Sequence, residues 1–569
     1  MTFTYSVTAA DWARITPELI LTIMTLIVML VDLVLPRPAQ DGKDSGPTTF
    51  VVLPLLSLLG LAGAFAATIV LFASGDHQTA FNHMVGSDTG SLYAYIIILS
   101  ASALGILLSP AYLKRLNLVH QGEYYALFLL ATIGMMLMAS ATSFLTVFLG
   151  LELLSLALYI LCSFVARRKG SQESGMKYFL LSSFASAFLL YGIALTYGAT
   201  GGTAFDSVRT FLAHKAVPNA TLHSPTLLLI AMGLLTVGFA FKVSAIPFQA
   251  WTPDVYDGAP APVTAFMSVG TKAAAMIAFA RVFDVVFLSA KADWVPVVWT
   301  ITILTIVGGN ILALVQTNVK RMLAYSSIAH AGYLLIGVVV GGTVGISAIL
   351  FYLLCYTFLN LGAFGVVSIL EQTDNSGSSY QDIRGLWYRQ PVVAGLLAFF
   401  MLALAGFPPM AGFAAKYYLF YAALQGGYPE LLIIGVLASV LGMYYYLRVI
   451  ATMFMEQETV VAPAVVSKPT TPTTPIPAGK RVSTKLGNAN ALTSSKGATA
   501  VAVKPKATAT TNQPLTPAPH AGEQRETINI GIMSWIALGI AVLGTFAMGT
   551  VLPFWLVNLA QQAAQMMLK

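Results

Sequence analysis

Four ionisable side chains stand where apolar residues would be expected. Lys242, Lys272 and Lys416 each lie inside an apolar stretch long enough to cross a membrane, and Glu152 lies inside a fourth. A charge at the centre of a membrane helix costs about 2.5–3.5 kcal/mol on insertion scales, and groups kept against that cost commonly handle protons or ions. Burial disfavours a charged amine, while a nearby carboxylate favours it. A lysine held between those pulls changes protonation when its neighbour does. Glu152, in FLGLELLSLALYIL, lies about ten residues into its predicted helix, near mid-membrane, where the competing reading is a single helix-pairing hydrogen bond. Lys272 is well away from either end of its stretch. Lys242 comes late in its own, where snorkelling to the interface competes. His330, in AYSSIAHAGYLL, has an ordinary pKa of about 6.5 that suits a relay, and a hydrogen-bonded packing histidine is the equal alternative.

The elements that must position these groups are membrane helices. The chain has 569 residues, of which 57% are hydrophobic and 9% charged, and its mean hydropathy is +0.78. A soluble protein carries about 25% charged residues. The apolar runs are about 18–25 residues long, the length of a crossing helix. Strict alternation is absent, which argues against an outer-membrane barrel. The spacing predicts an all-α polytopic membrane protein with fourteen helices near 17–35, 50–73, 91–109, 123–140, 143–166, 174–198, 224–247, 263–289, 294–316, 321–342, 345–371, 392–421, 430–455 and 529–560. The first run is too long for a signal h-region and is read as a retained helix.

Arg37, Lys43, Lys114, Arg115, Arg167, Arg168, Lys169, Lys177, Lys320, Arg321, Arg384 and Arg389 follow odd-numbered helices. The other side has only Arg14, Arg209, Lys215, Lys291 and Lys569. Basic loops stay in the cytoplasm, so both termini are expected on the far, periplasmic side. Residues 457–526 are rich in Pro, Thr, Ala and Val and poor in aromatics, which predicts a disordered cytoplasmic linker.

Two helices look internally broken. Helix seven reads GFAFKVSAIPFQAW, and Pro247 removes the N–H that the carbonyl of Val243 would accept. Helix twelve reads LALAGFPPMAGFAAKYYLF, with Gly406, Pro408, Pro409 and Gly412 interrupting it before Lys416. Paired broken helices point to an internal repeat with a site at each break. Their offset of five suggests a five-helix unit, helices 4–8, repeated upside down as helices 9–13. The expected divisions are a three-helix segment at 1–122, a first repeat at 123–290, a second at 291–456, the linker at 457–526 and helix fourteen within 527–569.

Other functions find little support. There is no phosphate loop, no GxGxxG after a strand and no HExxH, so no nucleotide, flavin or haem site is expected on this chain. Cys162 and Cys355 lie far apart in apolar runs, without a C-x-x-C, and read as buried thiols. The charge of +7 is membrane topology, not nucleic-acid binding. Asp32, Arg281, Asp284 and Arg448 lie nearer helix ends, where headgroups or a buried partner can meet them. The stretch TPDVYDGAPAP at 252–262 reads as a stiff loop whose Asp254 and Asp257 bind a partner or cap helix eight.

The stretches FKVSAIPFQAWTPDVYDGAPAPVTAFMSVGTKAAAMIAFAR (241–281), QTNVKRMLAYSSIAHAGYLLIG (316–337) and LALAGFPPMAGFAAKYYLF (402–420) closely resemble the subunit N family of bacterial NADH-quinone oxidoreductase, respiratory complex I. The resemblance spans about 10–456 and 529–560. Sister subunits L and M and the Mrp-type antiporters share the fold. The PDVYDGAP run and Asn360 in YTFLNLGAFG, where the sisters tend to carry lysine, favour subunit N. The resemblance implies an antiporter-like fold with inverted repeats, and proton pumping driven by electron transfer elsewhere in the complex. It implies that Glu152, Lys242, Lys272 and Lys416 are the functional glutamate and lysines. It also implies that NADH, FMN, iron–sulfur clusters and quinone belong to other subunits, and that subunits M and K are neighbours in the inner membrane. The linker is longer than the family leads one to expect. On this reading Glu152 toggles Lys242, Lys272 passes the proton inward, and it leaves past Lys416, with His330 in between. An ion pair at 4 Å is worth about 4 kcal/mol at an effective dielectric of 20, enough to switch a lysine. A free-standing cation/proton antiporter would use the same residues.

Overall fold

The computed structural model describes residues 7–35, 49–116, 118, 121–215, 225–372, 376–455 and 530–568. The predicted linker at 457–526 lies outside the described residues. The helices are α1 (Thr16–Val34), α2 (Thr49–Ser74), α3 (Thr89–Arg115), α4 (Gln121–Ala139), α5 (Phe144–Cys162), α6 (Lys169–Thr200), α7a (Pro225–Val243), α7b (Trp251–Gly258), α8 (Ala261–Arg281), α9 (Lys291–Leu314), α10 (Val319–Val340), α11 (Gly342–Leu370), α12a (Pro391–Ala405), α12b (Ala411–Gln425), α13 (Pro429–Phe454), α14 (Ile532–Thr550) and α15 (Pro553–Met567). Short helices occupy Ala9–Arg14 and Phe205–Lys215, and a two-stranded antiparallel hairpin pairs β1 (Thr79–Ala80) with β2 (Val85–Gly86).

Among the described residues, thirteen helices are long and apolar enough to cross a membrane. The arms α12a and α12b, of 15 residues each, fall short singly. The expected fourteen is reached only if they count as one broken crossing.

Starts and stops follow local chemistry. Asp88 caps α3 by accepting from Ser91 N, and Asn318 caps α10 by accepting from the N–H groups of Lys320 and Arg321. Prolines stand at the first turn of α12a, α13 and α15, where a missing N–H is harmless. The last of these divides the helix predicted over 529–560 into two, α14 and α15. The loop predicted over 252–262 is also corrected, because Trp251–Gly258 is helical.

The core is built on α8, buried along its whole length, with α10 and α11 nearly as enclosed. Leucines, phenylalanines and tyrosines are exposed on α1, α6, α13 and α14, faces suited to lipid or to a neighbouring subunit. Two pairs of helices approach at glycines. A Cβ on Gly134 would come within 2.5 Å of Leu154 N, so α4 and α5 touch backbone to backbone, and one on Gly309 would come within 2.7 Å of Ala329 N, joining α9 to α10 likewise.

Candidate functional site

The first break places Lys242 one residue before the end of α7a, where it is 2% exposed. Its Nζ donates to Ser155 Oγ on α5 at 2.7 Å and to Tyr178 OH on α6 at 3.0 Å. Tyr178 stacks on Trp251, the first residue of α7b, at 4.7 Å and 7°. The Trp251 indole donates to Phe241 O at 3.0 Å, so a side chain from beyond the break ties back to the helix before it. Lys242 therefore points into the neighbouring helices and is not a snorkelling residue. Glu152 lies one turn before Ser155 on α5, and its Oε1 is buried without a hydrogen-bond partner. The ammonium is held by Ser155 and Tyr178 in place of the carboxylate, so no ion pair closes between Glu152 and Lys242 in this arrangement.

The second break is built differently. In an unbroken helix the carbonyls of Leu404 and Ala405 would accept from residues 408 and 409, both prolines without an N–H. Lys416 fills that need. Its Nζ donates to Leu404 O at 3.0 Å, Ala405 O at 3.1 Å and Ser439 Oγ at 3.0 Å. It reaches back because helical side chains lean toward the helix N-terminus. Gly406, at φ +93, lets the stem pass, since a Cβ there would sit 3.3 Å from Lys416 Cδ.

Lys272 lies mid-way along α8, 1% exposed, and donates to both Ser327 O and Ser327 Oγ on α10. The neighbouring Ser326 bonds Tyr446 OH. Tyr446 OH also meets His330 Nε2 at 3.1 Å, and His330 Nδ1 meets Tyr352 OH at 2.6 Å. The His330 ring lies edge-on to Tyr333 at 5.8 Å, and Lys416 Nζ sits 5.6 Å from the Tyr333 ring centroid. Serine, tyrosine and histidine thus occupy the space between Lys272 and Lys416. Between Lys242 and Lys272 the structure places the aromatic series Tyr178, Trp251 and Tyr256 rather than hydrogen bonds. Asn360 Nδ2 donates to Ser268 Oγ at 2.5 Å.

A second constellation escaped the sequence reading. Glu371 accepts from Arg168 Nη1 at 2.5 Å, Tyr112 OH at 2.8 Å and Lys320 Nζ at 3.1 Å, with a side chain 0% exposed. Lys320 also donates to Ala259 O at 2.7 Å, at the end of α7b. Arg168 and Lys320, taken as loop charges, are buried partners. The signal available was three charges at helix ends, but nothing in the spacing says that they meet.

Asp254 and Asp257 do not cap α8, whose N-cap is Pro260. Asp254 pairs with Lys177 at 2.8 Å and Arg321 at 2.9 Å. Partial burial raises the pKa of its carboxyl, but the hydrogen bonds and charges of those two residues outweigh this and hold it below the ordinary range. Burial pushes Asp257 the other way. On the opposite face Arg281 Nη1 and Nη2 grip Asp88 at 2.8 and 3.1 Å. Burial alone would raise Asp88, and Arg281 and Ser91 together bring it below the usual value. Among the described residues no three His, Cys, Asp or Glu side chains group as a metal site requires.

These features define a class: polytopic helical membrane proteins with two broken helices, each carrying a buried lysine. The family model described as NADH:quinone oxidoreductase/Mrp antiporter, TM, matches residues 141–442. A subunit N of NADH-quinone oxidoreductase from Trichlorobacter lovleyi is 45% identical over 442 residues, 78% of this chain and 87% of its own. The subunit N of Chloroflexus aggregans is 42% identical over 449 residues, 79% and 88% of the two chains. The chain belongs to the NADH-quinone oxidoreductase subunit N family. In a solved structure of Thermus thermophilus respiratory complex I, one chain superposes with a TM-score of 0.62 at 34% identity, covering 77% of this chain and 90% of that one. A chain of the archaeal membrane-bound sulfane sulfur reductase superposes at 0.72 with 22% identity, covering 98% of both, a likeness of fold alone.

Proposed function

We propose that this chain is a proton-translocating membrane subunit of an NADH-quinone oxidoreductase, and that Glu152, Lys242, Lys272, His330 and Lys416 form its relay. The observation that carries this reading is the set of three lysines, each at most 7% exposed, held by side-chain hydroxyls and break carbonyls and by no carboxylate. An amine so placed can give up its proton without breaking an ion pair. Ser327, Ser326, Tyr446 and His330 supply exchangeable hydrogens between Lys272 and the neighbourhood of Lys416. The first gap, from Lys242 to Lys272, needs water to enter beside Trp251. Glu152 is the switch: when it swings to Lys242 the amine keeps its proton, and when it stands off the proton moves on.

In this proposal helices α4 to α8 and α9 to α13 are inverted repeats, α12a and α12b form one crossing, and the termini lie on the periplasmic side of the inner membrane. Residues 1–122 and 527–569 flank the repeats, and 457–526 is a cytoplasmic linker. The cofactors NADH, FMN, iron–sulfur clusters and quinone sit on other subunits, with subunits M and K as neighbours. Lys242→Ala in the assembled complex tests the reading. Proton pumping is expected to fall, and quinone-linked NADH oxidation with it, while the redox subunits still co-purify. Undiminished pumping would make the chain a scaffold. A free-standing antiporter would instead purify without redox partners and respond to sodium or potassium.

A further inference from the structure

α8 does not end cleanly at Arg281. It runs into one π-helical turn, Val282–Val286, closed by Phe287 N donating to Val282 O at 3.1 Å. Such widened turns inside helices often mark functional positions. This one carries Asp284, 1% exposed, with both carboxylate oxygens buried and without a hydrogen-bond partner. A buried carboxylate normally accepts several bonds. The turn between α10 and α11 is shaped around it. Gly341 has φ +66, and a Cβ there would stand 2.1 Å from Asp284 Oδ1 and 3.2 Å from Lys291 Nζ. Lys291, the first residue of α9, keeps its ammonium on Val340 O at 3.0 Å, beside the carboxylate and not bonded to it. Arg281, one turn earlier on α8, is taken by Asp88, and Tyr428, from the turn before α13, is the other titratable group that feels the carboxylate.

We propose that Asp284 is the group that accepts the outgoing proton at the periplasmic end of the relay and hands it to water, with Lys291 as its positioning residue. The inference rests on the relay and orientation proposed above. It adds an exit that the lysines do not supply. The next residue, Val285, lines a cavity of about 180 Å³ together with His77, His83, Asp88 and Arg281, large enough for several waters. The proton comes from water on the outer side of Lys416, adds to a carboxylate oxygen, and leaves to a cavity water once the side chain turns past Val285, since Asp284 itself does not line the cavity. Lys291 stays charged throughout.

Asp284→Asn tests this, because an isosteric amide loses no hydrogen bond here and removes only the charge and the site that takes up a proton. In the assembled complex in sealed vesicles, quinone-linked NADH oxidation and proton pumping are expected to fall together, as far as in Lys416→Ala. Oxidation by an artificial acceptor upstream of quinone should be unchanged, and Asp284→Glu should restore at least half of the loss. Asn at wild-type turnover beside a slow Lys416→Ala overturns the exit and leaves the relay standing. Wild-type turnover in both overturns the two together. If Asn prevents assembly, Lys291→Met replaces it. Half-maximal pumping should then move to higher periplasmic pH, and an unmoved profile overturns the proposal.

Discussion

Replacing Glu371 by Gln removes one charge from a cluster that water does not reach. The carboxylate holds Arg168 and Tyr112 on one oxygen and Lys320 on the other. Glutamine keeps a carbonyl for the first two, but turns an N–H₂ donor toward the Lys320 ammonium. Lys320 is then left with Ala259 O alone, and Arg168, which cannot shed its proton, loses the charge of Glu371. Breaking a buried pair costs about 3–5 kcal/mol. That is roughly two to three and a half powers of ten in the opening equilibrium at 1.4 kcal/mol per decade. Opening should begin where the cluster clamps, at the junction of α7b and α8, and limited proteolysis or hydrogen exchange of residues 251–262 in detergent would read it. The double variant Glu371→Gln with Lys320→Met removes the opposed donor and one of the stranded charges. It should be less damaged than the two single effects summed, by at least about 1.5 kcal/mol, within the range for residues in contact. Additivity within about 0.5 kcal/mol would refute the claim that these side chains act as one unit.

Lys416→Arg separates the two duties of that residue: arginine can still cap the carbonyls of Leu404 and Ala405 but does not deprotonate, so assembly should be normal and pumping lost. Pumping at the wild-type rate would remove Lys416 from the relay. Gly406→Ala forces a Cβ into left-handed backbone and against the Lys416 stem, at a cost of about 1–2 kcal/mol. Turnover should drop more than in Gly233→Ala, a helical position with open space around it. Asp88 has a folded pKa below its ordinary 3.8, so its pairing stabilises fully above that value and is lost as pH falls through the lower, folded one. Hydrogen exchange at the start of α3, corrected for intrinsic rate, should therefore rise only below about pH 4. Arg281→Met should abolish that acid step, and its persistence would show that another group causes it.

How much was legible depends on whether a feature is carried by consecutive residues. Apolar runs of membrane length are local, and so are the prolines of each break, because a missing N–H acts on the carbonyl four residues back. The amines within those runs were visible for the same reason: lipid cannot tolerate them, so their depth alone marks them out. What each amine bonds is a different matter. Lys416 turns back to cap its own break, while Lys242 leaves that task to Trp251 and crosses to Ser155 and Tyr178, a choice made by α5 and α6 packing against α7a. Glu371, Arg168 and Lys320 are up to about two hundred positions apart and looked like ordinary end charges until three helices brought them together out of water. Asp284 is the sharpest case: its surroundings depend on a π turn and on a glycine of another helix pair, neither of which leaves a periodicity to read. Membrane length, breaks and buried amines were thus determined by the sequence itself, since each is a property of neighbouring residues and the solvent around them. Which groups each amine bonds, which charges cancel and what surrounds Asp284 were decided only by tertiary packing, since those depend on distances between segments that the chain order does not set.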